Sequence, residues 1–198
     1  MPTFRTFARI ALGGLVAAET AVAYQRWQAR REVFDLAARR AATLHRPLIV
    51  VGDPDGGAVT QLYRAYGCGD LCVDINGCPM CKVAQVADIT AGPVLGVADD
   101  SAVVFVSCVL EYVGDVAAAV REINRMAGSA ENIFDVSVQP WTMTAALYPG
   151  ARWTAVRDAD RMTLTEVSQQ RKVLTAGALA GLVVASVWPA SSRRQGSP

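Results

Sequence analysis

The chain has 198 residues, room for one hydrophobic core, so a single compact domain with additions at its ends is expected and two independent domains are not. Its net charge is +1, from 19 basic and 18 acidic residues, which provides no global field to recruit a polyanion; a nucleic-acid partner is not expected. The hydrophobic fraction of 52% stands beside 19% charged residues, and the apolar excess sits in two terminal segments.

The first of these, IALGGLVAAETAVAY from Ile10 to Tyr24, is broken only by Glu19 and is flanked by Arg5 and Arg9 before it and Arg26, Arg30 and Arg31 after it. It is about one membrane span, so residues 1–30 read as an anchor helix; a cleaved signal peptide with its small-residue site at Ala21 and Ala23 satisfies the same pattern. Beyond Trp27, the recurrence of Val33, Leu36, Ala37 and Leu44 predicts an amphipathic helix that continues from the anchor into the domain. His45, the only histidine, then reads as a junction or surface residue.

Residues 31–170 alternate between strand and helix patterns. Leu48 to Val51 is a short apolar run closed by GDPDGG, as expected of a buried parallel strand ending in a turn. A helix over Ala58 to Tyr66, a strand over Leu71 to Ile75 and a strand over Val83 to Ile89 follow. The longest apolar run of the domain, Ala102 to Leu110, supplies a central strand in which Cys108 reads as a small buried hydrophobe. Asp115 to Gly128 is a helix with an acidic cap and a glycine stop, and Asn132 to Gln139 is a fifth strand. RWTAV and MTLTEV have the pattern of an edge hairpin. The fold class expected is α/β, a Rossmann-like, doubly wound, mostly parallel sheet flanked by N- and C-terminal hydrophobic helices, with ligands bound beyond the strand carboxyl ends.

Residues 171–198 hold the second hydrophobic segment. Val173 to Trp188 carries no charge and is bracketed by Arg171, Lys172, Arg193 and Arg194, which makes it the better transmembrane candidate. Small residues at Ala176, Gly177, Ala180 and Gly181, and at Gly13, Gly14 and Ala17, suit close helix packing, with each other or with membrane-protein partners. The arginines flanking the intervening domain place it on the cytosolic side of a membrane, or on the inner side of an organelle or viral membrane, with the bilayer itself as first partner.

The segment SAVVFVSCVLEYVGDVAAAVREINRMAG, from Ser101 to Gly128, resembles the stretch of class I S-adenosylmethionine-dependent methyltransferases in which the fourth strand leads through a "VLEHV" loop into the following helix. VVGDPDGG stands where that family has its glycine-rich loop, Asp74 where an acidic residue holds the ribose, and Asp88 where one faces the adenine; order and spacing agree over residues 46 to 140. The resemblance implies S-adenosylmethionine as cofactor, bound by Gly52, Asp53, Gly56, Asp74 and Asp88, with Glu111 and Tyr112 on the substrate side. It implies a methyl transfer to a small or membrane-associated acceptor. The loop departs from the family pattern: Pro54 takes the middle glycine, Val50 replaces the acid before it, and Asp53 and Asp55 add negative charge. A catalytically inactive scaffold of the same fold, serving a membrane complex or a membrane-containing particle, is the alternative.

Cys68, Cys72, Cys78 and Cys81 are spaced C-x3-C-x5-C-x2-C. Four thiolates could close a zinc site, but Cys72 falls within the expected second strand, where its side chain would point to a sheet face. Free thiols, or one local disulfide, in a reducing compartment are the reading preferred, with no resident metal.

Overall fold

The computed structural model describes residues 4–55, 64–136, 153–158 and 161–166. A single helix, α1, runs from Phe4 to Leu44 without a break, so the apolar segment and the amphipathic stretch after it form one rod. Its exit is fixed by His45, which turns into the left-handed region at φ 52, and by Arg46 N–H bonding the Ala41 carbonyl at 3.1 Å; Pro47 then cannot continue the helix.

Five strands follow: β1 (Leu48–Val51), β2 (Leu71–Asp74), β3 (Ala84–Val86), β4 (Val103–Ser107) and β5 (Ile133–Val136). All pairings are parallel, and the order across the sheet is β3-β2-β1-β4-β5. Two faces of the sheet are covered. Ile49, Val51, Val73, Val104 and Val106 pack with helix α2 (Val116–Ala127), while Leu48, Val50, Cys72, Val103 and Phe105 pack beneath α1. The alternation follows from the two-residue repeat of a strand, and burial of both faces explains why β1 and β4 read as unbroken apolar runs. Each fully buried valine contributes roughly 2 kcal/mol by leaving water.

The helix read from Asp115 to Gly128 forms as its caps dictate. Asp115 accepts the Ala118 N–H at 2.9 Å, and Gly128, at φ 69, ends α2 with its N–H on the Asn124 carbonyl at 2.8 Å. Ala119, Ile123, Met126 and Ala127 form its buried stripe. Strands β6 (Trp153–Asp158) and β7 (Arg161–Glu166) make a separate antiparallel pair, the hairpin that RWTAV and MTLTEV suggested.

Several elements are shorter than expected. The third strand contracts to Ala84–Val86 because it lies at the sheet edge and Asp88 starts a turn on Thr90. The fourth ends at Ser107, where Cys108 turns to φ 53. Arg64 to Tyr66 are not helical, and the rest of the expected helix from Ala58 lies outside the described residues, as does Val173 to Trp188.

The direction of α1 positions the site. Near its end, Arg40 Nε donates to Asn132 Oδ1 at 3.1 Å, just before β5 begins. Ten residues earlier on the helix, Arg30 Nη2 donates to Cys108 Sγ at 2.8 Å, just past the end of β4. The helix therefore runs antiparallel to the strands, and its Phe4–Tyr24 half projects beyond their carboxyl ends. That half is long and apolar enough to be a membrane span or a signal sequence, and very little of it is buried in the fold. A helix from Phe4 to Tyr24 rises about 30 Å, against a hydrocarbon core of about 30 Å.

Candidate functional site at the strand carboxyl ends

Because β1 is central and its neighbours are β2 and β4, the chain leaves β1 and β4 in opposite directions, which opens a crevice between their carboxyl ends. Gly52 lies at this point with φ 107, and a Cβ there would stand 2.6 Å from the Ser107 carbonyl oxygen. The glycine is thus required by the approach of β4, whatever the crevice holds.

Asp74, at the tip of β2, is the organising acid. Its Oδ2 accepts the Asp53 N–H at 3.1 Å and its Oδ1 accepts the Asn76 N–H at 2.7 Å. Each oxygen carries two lone pairs, so a further acceptor position remains on each. Gly52 N–H bonds the Val73 carbonyl at 2.9 Å, Asp55 N–H bonds Asp53 Oδ1 at 3.1 Å, and Pro54 has no N–H. The backbone donors from Gly52 to Asp55 are all engaged inside the loop or on β2. Asp55 also pairs with Arg64 at 3.2 Å, which offsets part of the loop's negative charge.

Asp88 lies two residues past β3 and is exposed. Its Oδ1 accepts the Thr90 hydroxyl at 2.7 Å and the Thr90 N–H at 2.8 Å, and these bonds hold its pKa below the ordinary carboxylate value. Gly56 lies outside the described residues.

Glu111 and Tyr112 follow β4 in a turn closed by the Tyr112 N–H on the Val109 carbonyl at 2.9 Å. They diverge: Glu111 is 1% exposed, while Tyr112 is half-buried. Two groups that sequence reasoning missed lie close by: Arg30, beside Glu111 and Cys108, and Tyr66, beside Arg30 and Cys108. Burial works against the Arg30 cation, but Cys108, Tyr66 and Glu111 outweigh it and raise its pKa. Burial also raises the Cys108 thiol and the Tyr66 phenol, the latter to about 12, so both are neutral near pH 7. That leaves Glu111 as the acidic group beside the guanidinium. Arg30 Nε is buried and donates to no acceptor among the described residues.

A signal for Arg30 was present in the sequence. It stands in line with Phe34, Ala37 and Ala41 at helical spacing, on the face that α1 buries, although its place after an apolar run made it read as a membrane-flanking charge. Tyr66 hydroxyl donates to the Asp53 carbonyl at 3.2 Å, and its ring packs 5.0 Å from Phe105. No local pattern marks that role.

The cysteines depart from expectation. Cys72 does lie within β2, yet its side chain joins the other three: Cys68 is bonded to Cys81 at 1.97 Å and Cys72 to Cys78 at 2.04 Å. The pairing as two disulfides corrects the reading of free thiols or one local bridge. Strand β2 is short, and the turn after it carries Cys78 back beneath the sheet face from which Cys72 projects.

Comparison with family models, with curated proteins and with solved structures found no match to this chain.

Proposed function

We propose that the chain is a membrane-anchored, Rossmann-like protein that binds S-adenosylmethionine at the β1–β2 edge and transfers its methyl group to a membrane-associated acceptor. The observation that carries this reading is Asp74: a carboxylate at the tip of β2, held by the Asp53 N–H from the β1 loop and keeping an acceptor position on each oxygen for a ribose diol. Asp88 supplies an exposed carboxylate farther along the same edge, suited to an adenine amino group.

The fit of the remaining residues is uneven. The loop donors from Gly52 to Asp55 are engaged, so the methionine carboxylate of the cofactor cannot be held by them as in a glycine-rich cradle. Arg30 is the compensating group, a half-buried cation whose enclosed Nε has its donor unused. The cofactor supplies a sulfonium leaving group, and the chain's share of the chemistry is orientation and exclusion of water. Glu111, beside Arg30, and Tyr112, half-buried at the rim, face the acceptor.

The acceptor class follows from α1. Arg30 lies six residues past Tyr24, about 9 Å along the helix axis, so a bilayer enclosing Phe4 to Tyr24 brings the crevice within reach of groups at its surface. The bilayer and membrane proteins packing on the small-residue face of Gly13 and Gly14 are the partners this implies; a Cβ at either glycine meets nothing within 4 Å. The second reading, an inactive scaffold, is favoured by the engaged loop donors alone.

The test is calorimetric titration of S-adenosylmethionine and S-adenosylhomocysteine into the full chain in lipid nanodiscs. Saturable binding weakened at least tenfold, about 1.4 kcal/mol, by Asp74→Asn and by the exposed Asp88→Ala supports the transferase. A folded chain that binds neither ligand makes the scaffold the conclusion.

A further inference from the structure

The two disulfides form one cluster. The Sγ atoms of Cys72, Cys78 and Cys81 all lie within 4.8 Å of one another, and Cys68 is bonded to Cys81. We propose that this cluster is a structural zinc site: in the reduced chain the four thiolates bind one Zn2+, and the pair of disulfides is the metal-free, oxidised state of the same side chains.

Geometry favours it first. A Zn–S bond of about 2.3 Å sets the sulfurs of a tetrahedral site about 3.8 Å apart; the sulfurs of Cys72, Cys78 and Cys81 are already near that spacing, and Cys68, bonded to Cys81, has to rotate in as the fourth ligand. Cys78 and Cys81 are spaced as a metal-binding turn, closed by the Cys81 N–H on the Cys78 carbonyl at 3.0 Å. Cys72 and Cys78 are buried and Cys68 and Cys81 half-buried, so the cluster lies at the edge of the core with two of its ligands out of water.

Charge favours it independently. Arg64 Nη2 stands 2.9 Å from Cys68 Sγ and 3.5 Å from Cys81 Sγ. A disulfide sulfur is neutral and a weak acceptor, and a guanidinium aimed at two of them gains little. Four thiolates around Zn2+ carry a net charge of 2−, and then Arg64 makes the charge-assisted bonds that orient and neutralise metal ligands. Asp55, on the other side of Arg64, holds the guanidinium in place at 3.2 Å.

The two states interconvert with a full balance. Each disulfide takes two electrons and two protons from a dithiol reductant, giving four thiols and two oxidised reductant molecules; binding of Zn2+ then releases the four thiol protons. The metal would bear on the crevice, because Cys72 is two residues from Asp74 and its Sγ lies 3.8 Å from the Gly52 carbonyl oxygen. Loading the site fixes the tip of β2 against the β1 loop.

The full chain, made in a reducing cytosol and purified in detergent without oxygen, is assayed for metal by elemental analysis and for thiols by alkylation. One zinc per chain is expected, with the four cluster thiols alkylated only after a chelator removes it. Cobalt(II) exchanged into the site should give thiolate-to-metal charge-transfer absorption of a tetrahedral four-sulfur centre, lost in Cys78→Ser/Cys81→Ser. Substoichiometric metal with both disulfides intact would overturn the proposal, as would zinc retained by the double variant. Should that variant not fold, chelator competition on the wild type decides: release of one zinc with four newly reactive thiols upholds the site, and release without new thiols sinks it.

Discussion

Arg30 and Cys108, 78 residues apart in the chain, meet with Nη2 at 2.8 Å from Sγ, and this contact joins the helix that leaves the domain to the end of its central strand. Glu111 lies beside the same guanidinium. Arg30→Met keeps most of the stem and removes the charge, so the buried Glu111 loses the attraction of that guanidinium. The variant should lose about 1 to 3 kcal/mol of stability, measured by denaturant unfolding, and adding Glu111→Gln should restore part of the loss.

Tyr66 gives a test at high pH. Burial raises its phenol from the ordinary 10.0 to about 12. A folded-state pKa above the unfolded one means that the neutral form is favoured by folding. The contribution is complete below about pH 10 and is lost as pH rises toward about 12, some 2 to 3 kcal/mol in all. In Tyr66→Phe the fall in stability over that window should be correspondingly shallower, and an unchanged slope would assign the alkaline transition to other groups.

Glu122 governs the acid side. Burial works against its carboxylate, but Arg125, donating at 2.7 and 2.8 Å, and the Val94 N–H at 2.8 Å more than offset this and hold its pKa below 4.5. With the folded value depressed, its stabilisation is present above pH 4.5 and is lost as pH falls through the folded pKa. Glu122→Gln should cost roughly 2 kcal/mol at pH 7, with the difference from wild type shrinking in thermal melts recorded at progressively lower pH.

Two glycines are held by close approach of a neighbouring segment as well as by a positive φ. At Gly52 the Cβ of an alanine meets the Ser107 carbonyl oxygen at 2.6 Å, and neither strand can move without loss of pairing. Gly52→Ala should cost about 3 kcal/mol or more. Gly128→Ala, at φ 69, meets the Asp100 side chain as far in as its Cβ, 2.6 Å away, and the Asp100 N–H is held on the Arg125 carbonyl at 2.8 Å. Its cost should exceed the left-handed penalty of about 1 to 2 kcal/mol.

Alkaline carbonate extraction examines α1. The full chain should stay with the membrane, and a chain lacking both residues 1–25 and the apolar segment of residues 171–198 should leave it, whereas restoring residues 1–25 alone should return it to the membrane. A mature N-terminus near Ala23 on mass analysis would instead identify the apolar segment as a cleaved signal.

Residues with local causes were legible in the sequence. The Leu48–Val51 strand is an apolar run between a proline and a GDPDGG turn, and the Val116–Ala127 helix is bounded by an aspartate and a glycine, each performing its cap. Asp74 closes β2, one residue before the Ile75 at which the apolar pattern placed the strand's end. Its acceptor role toward Asp53 could not be anticipated, because a hydrogen bond to a backbone N–H depends on how two loops meet and not on which residues they contain.

What the sequence by itself determined is the set of elements whose signals are periodic or capping: the long helix, the apolar strands, the capped helix, and through their alternation a parallel sheet. Tertiary structure decided which side chains share a space. Arg30 read as a charge flanking an apolar segment became the half-buried neighbour of Cys108 and Glu111 because α1 runs antiparallel to the sheet and ends its buried stripe at the strand tips. Cys72, read as facing away, met the sulfurs of Cys78 and Cys81 because the turn after β2 folds back on the face it occupies. Periodicity fixes a residue's face on its own element; only packing fixes what that face meets.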